Sequence, residues 1–204
     1  MARISYLTAI DFGPGELKEL PTAVSDLKIS RPLFISDRGL ASSGLADKVM
    51  SMLPQGTASF LDTPPNPTET AVHQALGLYR SAACEGIVAV GGGSPIDLAK
   101  GVALLATHEG PLEQFAAIYG GIERIGPHVA PVIAIPTTAG TGAEVGRASL
   151  LTLDDGRKLG FISPHLIPRR AICDPLLTLG LPPQLTAATG LDALSHCIET
   201  LFSP

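Results

Sequence analysis

Short apolar runs alternate with segments of helical periodicity through the first 135 residues of the chain. The apolar runs have the length of buried strands, and they cover residues 4–10, 32–36, 57–61, 86–90 and 132–135. Segments with apolar side chains at helical spacing lie between them, at residues 40–53, 69–83 and 96–108. Because parallel strands need crossover connections, this alternation predicts an α/β fold, a parallel sheet with helices on both faces.

The pattern changes after Arg147. Two short apolar stretches, residues 148–153 and 158–162, flank the sequence Asp154-Asp155-Gly156. Asp and Gly are the residues that tight turns between antiparallel strands favour. We therefore expect a β-hairpin at this point of the chain, outside the alternating pattern.

The last part of the chain is rich in helix-forming residues. Pro182-Pro183 suits the start of a helix, and apolar side chains then follow at helical spacing. We expect a first helix over residues 184–188, a break at Gly190 and a second helix over residues 191–202. The predicted division is into an α/β domain and the beginning of an all-helical domain, at residues 1–180 and 181–204.

A run of three glycines follows one of the predicted strands. Gly91-Gly92-Gly93-Ser94 separates the strand at residues 86–90 from a helix with Pro95 in its first turn. Glycines let backbone N–H groups approach a pyrophosphate closely, and a helix N-terminus adds partial positive charge. The alternative is an ordinary tight turn. The loop is not a Rossmann fingerprint, because Ile96 occupies the position of its third glycine.

An acidic residue follows another predicted strand. Asp37 comes directly after the apolar run at residues 32–36, so it lies at the carboxyl edge of the sheet, where open α/β sheets bind ligands. Its carboxylate can accept hydrogen bonds from an adenosine ribose and would repel a 2′-phosphate, which favours NAD over NADP. Alternatively, Asp37 caps the helix that begins near Gly39.

Hydroxyl groups and glycines are concentrated after the strand at residues 132–135. The sequence Pro136-Thr137-Thr138-Ala139-Gly140-Thr141-Gly142 reaches the same edge of the sheet, which favours contact with a cofactor over a simple polar turn. Asn66-Pro67-Thr68, after another strand, is a weaker candidate that could simply cap its helix.

Asp192 and His196 are spaced four residues apart on a predicted helix, so their side chains lie on one face. A carboxylate and an imidazole can share a divalent metal ion, although such a pair is commonly only a solvated i,i+4 pair. Two ligands are also fewer than a catalytic site needs. The remaining histidines have no matching spacing and are interpreted as surface or structural residues: His73, His108, His128 and His165.

Charge and composition exclude several partners. The formal net charge is −5 and the 14 Lys and Arg are scattered, so we expect no nucleic-acid surface. No apolar run approaches the ~20 residues that span a bilayer, so no membrane association is expected. The three cysteines, Cys84, Cys173 and Cys197, form no disulfide framework in the pattern. These observations predict a soluble cytoplasmic protein.

Together, three motifs resemble those of the iron-containing alcohol dehydrogenase family, also called type III. They are the stretches 91–100 and 136–144 and the signature at residues 188–199. The resemblance implies a dehydroquinate synthase-like nucleotide-binding domain and makes Asp192 and His196 metal ligands. It also places Asp37 on the adenosine ribose and Lys158 on the cofactor. The full set of predicted cofactor contacts is Asp37, Asn66, Gly91, Gly92, Gly93, Ser94, Asp97, Thr137, Thr138, Thr141 and Lys158.

The resemblance also implies an activity. A metal-dependent, NAD-linked alcohol dehydrogenase transfers hydride between an alcohol and nicotinamide, with Fe²⁺ or Zn²⁺ as Lewis acid. The partner is a small alcohol or aldehyde, and self-association into a homo-oligomer is open. The family's longer helical domain contributes two more histidine ligands. We therefore expect 204 residues to be about half of the enzyme, which alone would hold metal weakly and turn over little or no substrate.

Two other functions remain open at this point. A dehydroquinate-synthase-like lyase has this architecture and also uses NAD and metal, although the threonine and glycine loop and the Asp192 to His196 signature fit a dehydrogenase better. A non-catalytic nucleotide-binding module is the other alternative. A downstream helical segment with two suitably spaced histidines would favour the enzyme over the module.

Overall fold

The computed structural model describes residues 8–202. Within that range the strands are β1 Ala9–Phe12, β2 Pro32–Ile35, β3 Ala58–Phe60, β4 Gly86–Gly91, β5 Val132–Pro136, β6 Ala148–Thr152, β7 Lys158–Ile162 and β8 Arg170–Cys173. The α-helices are α1 Leu20–Asp26, α2 Arg38–Ser42, α3 Leu45–Met50, α4 Glu69–Ser81, α5 Gly93–Leu105 and α6 Pro183–Phe202. Six strands form one parallel sheet in the order β1-β8-β5-β4-β2-β3, and β6 pairs with β7 in a separate antiparallel hairpin.

The sheet separates two hydrophobic cores. Because successive side chains of a strand point to opposite faces, Leu33 and Ile35 of β2 enter one core and Phe34 enters the other. The first core is completed by α4 and α5, and the second by α1 and α3. The predicted parallel sheet with helices on both faces is confirmed, and α6 begins the helical part that the sequence predicted.

The central strand β4 is buried along its whole length. It pairs with β2 on one side and β5 on the other, so both of its faces and both of its edges are covered. A strand in that position has no solvent face, which is why its sequence is a continuous apolar run rather than an alternating one.

The chain leaves β2 and β4 in opposite directions. After β2 it enters α2 and α3 on the face of the second core, whereas after β4 it enters α5 on the face of the first core. These two strands are neighbours in the sheet. Parallel sheets have a crevice at such a switch point, outside the carboxyl ends of the strands, and ligands bind there.

The hairpin prediction is confirmed by β6 and β7, which pair from Ala148 with Ile162 to Thr152 with Lys158. Its turn contains Gly156 at φ 88°, a conformation that glycine adopts without strain. The turn is fixed to the start of α4, because the Thr70 hydroxyl donates to Asp154 Oδ1 over 2.7 Å.

Several element boundaries differ from the sequence prediction. The helix expected over residues 40–53 is two helices, because Gly44 adopts φ 78° and ends the helical path between α2 and α3. The break expected at Gly190 is wrong, because α6 continues through it from Pro183 to Phe202. A single glycine costs a helix only about 1 kcal/mol, which flanking turns can absorb.

Two short elements were not predicted, namely α1 and β8. The strand expected over residues 4–10 is observed as β1 Ala9–Phe12, and residues 4–7 lie outside the described part of the chain. Between residues 8 and 202, no helix combines the length and the apolar character that a bilayer crossing needs.

Candidate functional site

A cavity of about 1100 Å³ opens at the carboxyl edge of the sheet. Its walls are the loops after β2, β3, β4 and β5, the segment after β8, and the first half of α6. The cavity therefore lies at the switch point between β2 and β4. Its volume is slightly above the range of roughly 300–1,000 Å³ found for small-molecule and cofactor sites.

The glycine loop forms the floor of this cavity. Strand β4 ends at Gly91 and α5 begins at Gly93, which confirms the predicted strand, turn and helix. A Cβ atom on Gly92 would lie 3.2 Å from Thr138 Oγ1, and one on Gly93 would lie 2.9 Å from Thr141 Cγ2. Only glycine leaves this space free. The loop thus fits the close approach of a pyrophosphate to the N-terminus of α5.

The threonine and glycine loop lies directly beside the glycine loop. Its first residue, Thr137, is buried, and its backbone N–H donates to the carbonyl oxygen of Gly91 over 3.0 Å. Thr137, Thr138 and Thr141 all line the cavity. The structure therefore brings the two predicted nucleotide loops together on neighbouring strands β4 and β5.

Asp37 caps α2 and also lines the cavity. Its Oδ1 accepts from the backbone N–H of Leu40 over 2.9 Å, which caps α2. The residue also lines the cavity, and within residues 8–202 no donor bonds to its other carboxylate oxygen. The helix cap and a contact with a ribose are therefore compatible.

Four of the predicted cofactor residues do not line the cavity, namely Asn66, Gly91, Asp97 and Lys158. Lys158 Nζ donates to Asn66 Oδ1 over 2.8 Å, so these two residues lie together at the start of β7. Asp97 Oδ2 accepts from the backbone N–H of Leu150 over 3.1 Å and connects α5 to β6. Burial raises the pKa of Asp97 above its usual value. Contact of these four residues with a cofactor stays a prediction.

Lys100 is a residue of this region that the sequence did not single out. Its side chain is completely buried on α5, where its Nζ donates to the carbonyl oxygens of Gly146 over 2.9 Å and Ala148 over 2.7 Å. Burial lowers its pKa to about 8, an effect that nearby Asp97 partly offsets. The signal available in the sequence was a lysine flanked by Leu98, Ala99 and Val102 in an apolar helix.

Asp192 and His196 lie on one face of α6, as their spacing predicted. Asp192 Oδ1 is 3.8 Å from His196 Nε2, and the side chains are 44% and 53% exposed. Asp192 lines the cavity, and Gly140 of the threonine and glycine loop lies against it. A Cβ atom on Gly140 would be only 2.4 Å from Asp192 Oδ2.

The donor set of this pair suits a divalent metal only in part. A carboxylate oxygen and an imidazole nitrogen are ligands that Fe²⁺ and Zn²⁺ accept. In the described stretch from residue 8 to residue 202, no group of three or more His, Cys, Asp and Glu side chains could hold a metal ion. Asp192 and His196 alone are fewer than the three or four protein ligands of a complete site, and their role as metal ligands stays a prediction.

Several residues that line the cavity belong to no motif that the sequence analysis recognised. Leu176, Leu177 and Leu181 line the cavity from the segment after β8, and Leu185 does so from α6. Thr63, after β3, also lines it, and its buried hydroxyl has no hydrogen-bond partner among the described residues. These residues reach the site through tertiary structure, so local sequence gave no signal for them.

Comparison with known proteins gives consistent matches. A family model described as iron-containing alcohol dehydrogenase matches residues 8–175. The 4-hydroxybutyrate dehydrogenase of Cupriavidus necator is 54% identical over 206 aligned positions, covering 100% of this chain and 54% of the relative. The 1,3-propanediol dehydrogenase of Klebsiella pneumoniae is 39% identical, with 94% of this chain and 50% of the relative covered.

Solved structures agree with these relatives. The crystal structure of sulfoacetaldehyde reductase from Bifidobacterium kashiwanohense, in complex with NAD+, superposes with a TM-score of 0.89 at 32% identity. The match covers 98% of this chain and 53% of that protein. The chain thus spans about half the length of the relatives that it matches. Because the family model covers most of its residues, the chain belongs to the iron-containing alcohol dehydrogenase family.

Proposed function

We propose that the protein acts as a metal-dependent, NAD-linked alcohol dehydrogenase that transfers hydride between a small alcohol and nicotinamide. The observation that supports this most directly is the single cavity lined by both nucleotide loops and by Asp192 of α6. The NAD+ complex of the related sulfoacetaldehyde reductase supports NAD as the cofactor.

The nucleotide loops have separate tasks in this proposal. The backbone N–H groups of Gly92, Gly93 and Ser94 at the N-terminus of α5 bind the pyrophosphate. Asp37 accepts hydrogen bonds from the adenosine ribose, and its charge disfavours a 2′-phosphate. Thr138 and Thr141 lie directly beside Gly92 and Gly93, where their hydroxyl groups can donate hydrogen bonds to the dinucleotide.

Asp192 and His196 would hold the metal. Lewis acidity toward the alcohol oxygen is the chemistry that a divalent ion supplies when bound there. Gly140 gives Asp192 the room to lie against the nucleotide loop, which keeps the ligand pair next to the cofactor cavity. The family resemblance assigns the remaining ligands to histidines of the helical domain, and the choice between Fe²⁺ and Zn²⁺ stays open.

The first substrate to test is 4-hydroxybutyrate, because the Cupriavidus necator relative of 54% identity is named for it. The full-length protein is expected to form one NADH per molecule of hydroxy acid oxidised. A chelator should abolish the activity, and Fe²⁺ or Zn²⁺ should restore it. Absorbance of NADH measures the reaction. Substrate consumption without net NADH would indicate the lyase instead, and NADH binding without any turnover would indicate a non-catalytic module.

Cofactor choice is tested at Asp37. We expect the full-length protein to bind NADH at least about tenfold more tightly than NADPH, because NADPH would lose the hydrogen bonds from the ribose to the Asp37 carboxylate, and one hydrogen bond to a charged group contributes about 1.5–3 kcal/mol. In Asp37→Gly this preference should disappear. Calorimetric titration with both cofactors measures it.

The matched variant for this test is Asp37→Asn, which keeps an oxygen to cap α2 and removes only the charge. It should bind NADPH about as well as Asp37→Gly does. Equal affinity of the parent protein for NADH and NADPH would remove Asp37 from the proposed role.

The remaining predictions concern the surroundings of the enzyme. A cytoplasmic location stays a prediction, supported by cysteines that are free thiols in the structure, since reducing compartments maintain that state. A homo-oligomer also stays a prediction, and gel filtration of the full-length protein tests it.

A further inference from the structure

The completely buried ammonium group of Lys100 has no place in the proposed reaction. It lies on α5, seven residues beyond Gly93, which is about 10 Å along the helix axis from the pyrophosphate end. A buried lysine is costly unless its protons are well bonded. Its two hydrogen bonds, to the carbonyl oxygens of Gly146 and Ala148, offset that cost and indicate the role of the side chain.

Both acceptors lie at the end of the second nucleotide loop. The loop consists of residues 137–147, between β5 and β6. At its start, Thr137 donates its N–H to the Gly91 carbonyl. At its end, the Gly146 carbonyl is held by Lys100. Strand β4 therefore fixes the start of this loop through Gly91, and α5 fixes its end through Lys100.

Backbone hydrogen bonds connect the end of this loop to the residues that line the cavity. The N–H groups of Val145 and Gly146 donate to the Gly142 carbonyl over 3.1 and 2.8 Å, so the end of the loop is one tight turn. Gly142 follows Thr141 directly, and Thr141 lies against Gly93 across the cavity floor. A shift of Gly146 would be passed to Thr141 within one turn of chain.

We propose that Lys100 is a positioning residue for dinucleotide binding, which fixes the loop of residues 137–147 against α5 and so sets the distance between the two nucleotide loops. The inference rests on the proposed function, since it assumes that both loops contact the cofactor. Lys100 itself does not line the cavity and acts through the loop.

A neighbouring contact offers a matched control. Ser149 of β6 is also buried, and its hydroxyl donates to the Asp97 carbonyl of α5 over 2.8 Å. It joins the same helix to the chain beyond the loop and leaves the carbonyl groups of Gly146 and Ala148 in place. Ser149→Ala therefore removes a buried hydrogen bond of the same interface without releasing the loop.

The test uses the full-length, metal-loaded protein at a temperature where every variant is folded by circular dichroism. Lys100→Met keeps an unbranched side chain that is one atom shorter, and it removes the hydrogen-bond donors. We expect its Kd for NADH, measured by fluorescence titration, to rise at least about tenfold, whereas Ser149→Ala changes it by less than about threefold. The KM for NAD+ should rise in parallel, and kcat at saturating NAD+ should stay within about threefold.

Lys100→Gln is the second variant, in case Lys100→Met does not fold, and it should raise the Kd by a smaller factor because an N–H donor remains. The inference is overturned if the folded Lys100 variants bind NADH as tightly as the parent, or if Ser149→Ala weakens binding equally. It is also overturned if kcat falls while KM stays constant. Absence of NADH binding by the parent protein would instead contradict the proposed function.

Discussion

Gly140→Ala is expected to lower the metal affinity of the full-length protein by about 10–100-fold, the range seen when a residue that orients a metal ligand is replaced. Gly140 adopts φ +108°, and a Cβ atom there would lie 2.4 Å from Asp192 Oδ2 and 3.2 Å from the Thr189 carbonyl oxygen. The methyl group must turn the carboxylate or displace α6. Metal content per subunit, measured by plasma mass spectrometry after dialysis, reports the loss.

The control for this variant lies two residues along the same loop. Gly142 also has a positive φ, +62°, but a Cβ atom there would meet nothing within 4 Å. Gly142→Ala should therefore carry backbone strain of about 1–2 kcal/mol and keep its metal. Equal metal loss in the two variants would show that loop strain, and not contact with Asp192, controls the site.

Gly91→Ala is expected to have the largest effect on folding. Gly91 adopts φ +148°, where L residues are strained, and a Cβ atom would lie 2.6 Å from Cγ of the rigid Pro95 ring. Strain and overpacking together should lower the free energy of unfolding by about 2–5 kcal/mol. NADH affinity should fall at least about 100-fold, because the backbone that we propose to bind the pyrophosphate must move. Urea unfolding and fluorescence titration measure the two effects.

Gly156→Ala separates the effect of backbone strain from that of overpacking. Gly156 lies in the hairpin turn at φ +88°, with nothing within 4 Å of a Cβ atom, so only backbone strain is introduced. We expect a loss of about 1–2 kcal/mol and unchanged NADH affinity. If Gly91→Ala is no more destabilising than Gly156→Ala, then the contact with Pro95 is relieved at little cost.

The parts of the fold that the sequence predicted are those that local chemistry specifies. Three glycines after an apolar run, followed by Pro95, define a strand, a turn and a helix without help from the rest of the chain. The Asp37 cap and the spacing of Asp192 and His196 are local in the same sense. Their combination into one cavity could be expected because the carboxyl ends of parallel strands share an edge.

The parts that were missed depend on distant contacts. Strand β8 has only four residues, and its pairing with β1 and β5 defines it more clearly than its composition does. Lys100 is buried because β6 lies over α5, whereas a lysine in a helix is ordinarily exposed. The pair of Asn66 and Lys158 forms across 92 residues of sequence, so no spacing rule could reveal it.

The pairing of β1 with β8 has a consequence for synthesis on the ribosome. Asp11 of β1 binds Arg170 of β8, and the two residues are 159 positions apart. At about 5–20 residues per second, the nascent chain must wait roughly 10–30 s after Asp11 is made before its partner is translated. During that interval the edge of β5 that later pairs with β8 has no partner, and an unpaired strand edge is a template for aggregation.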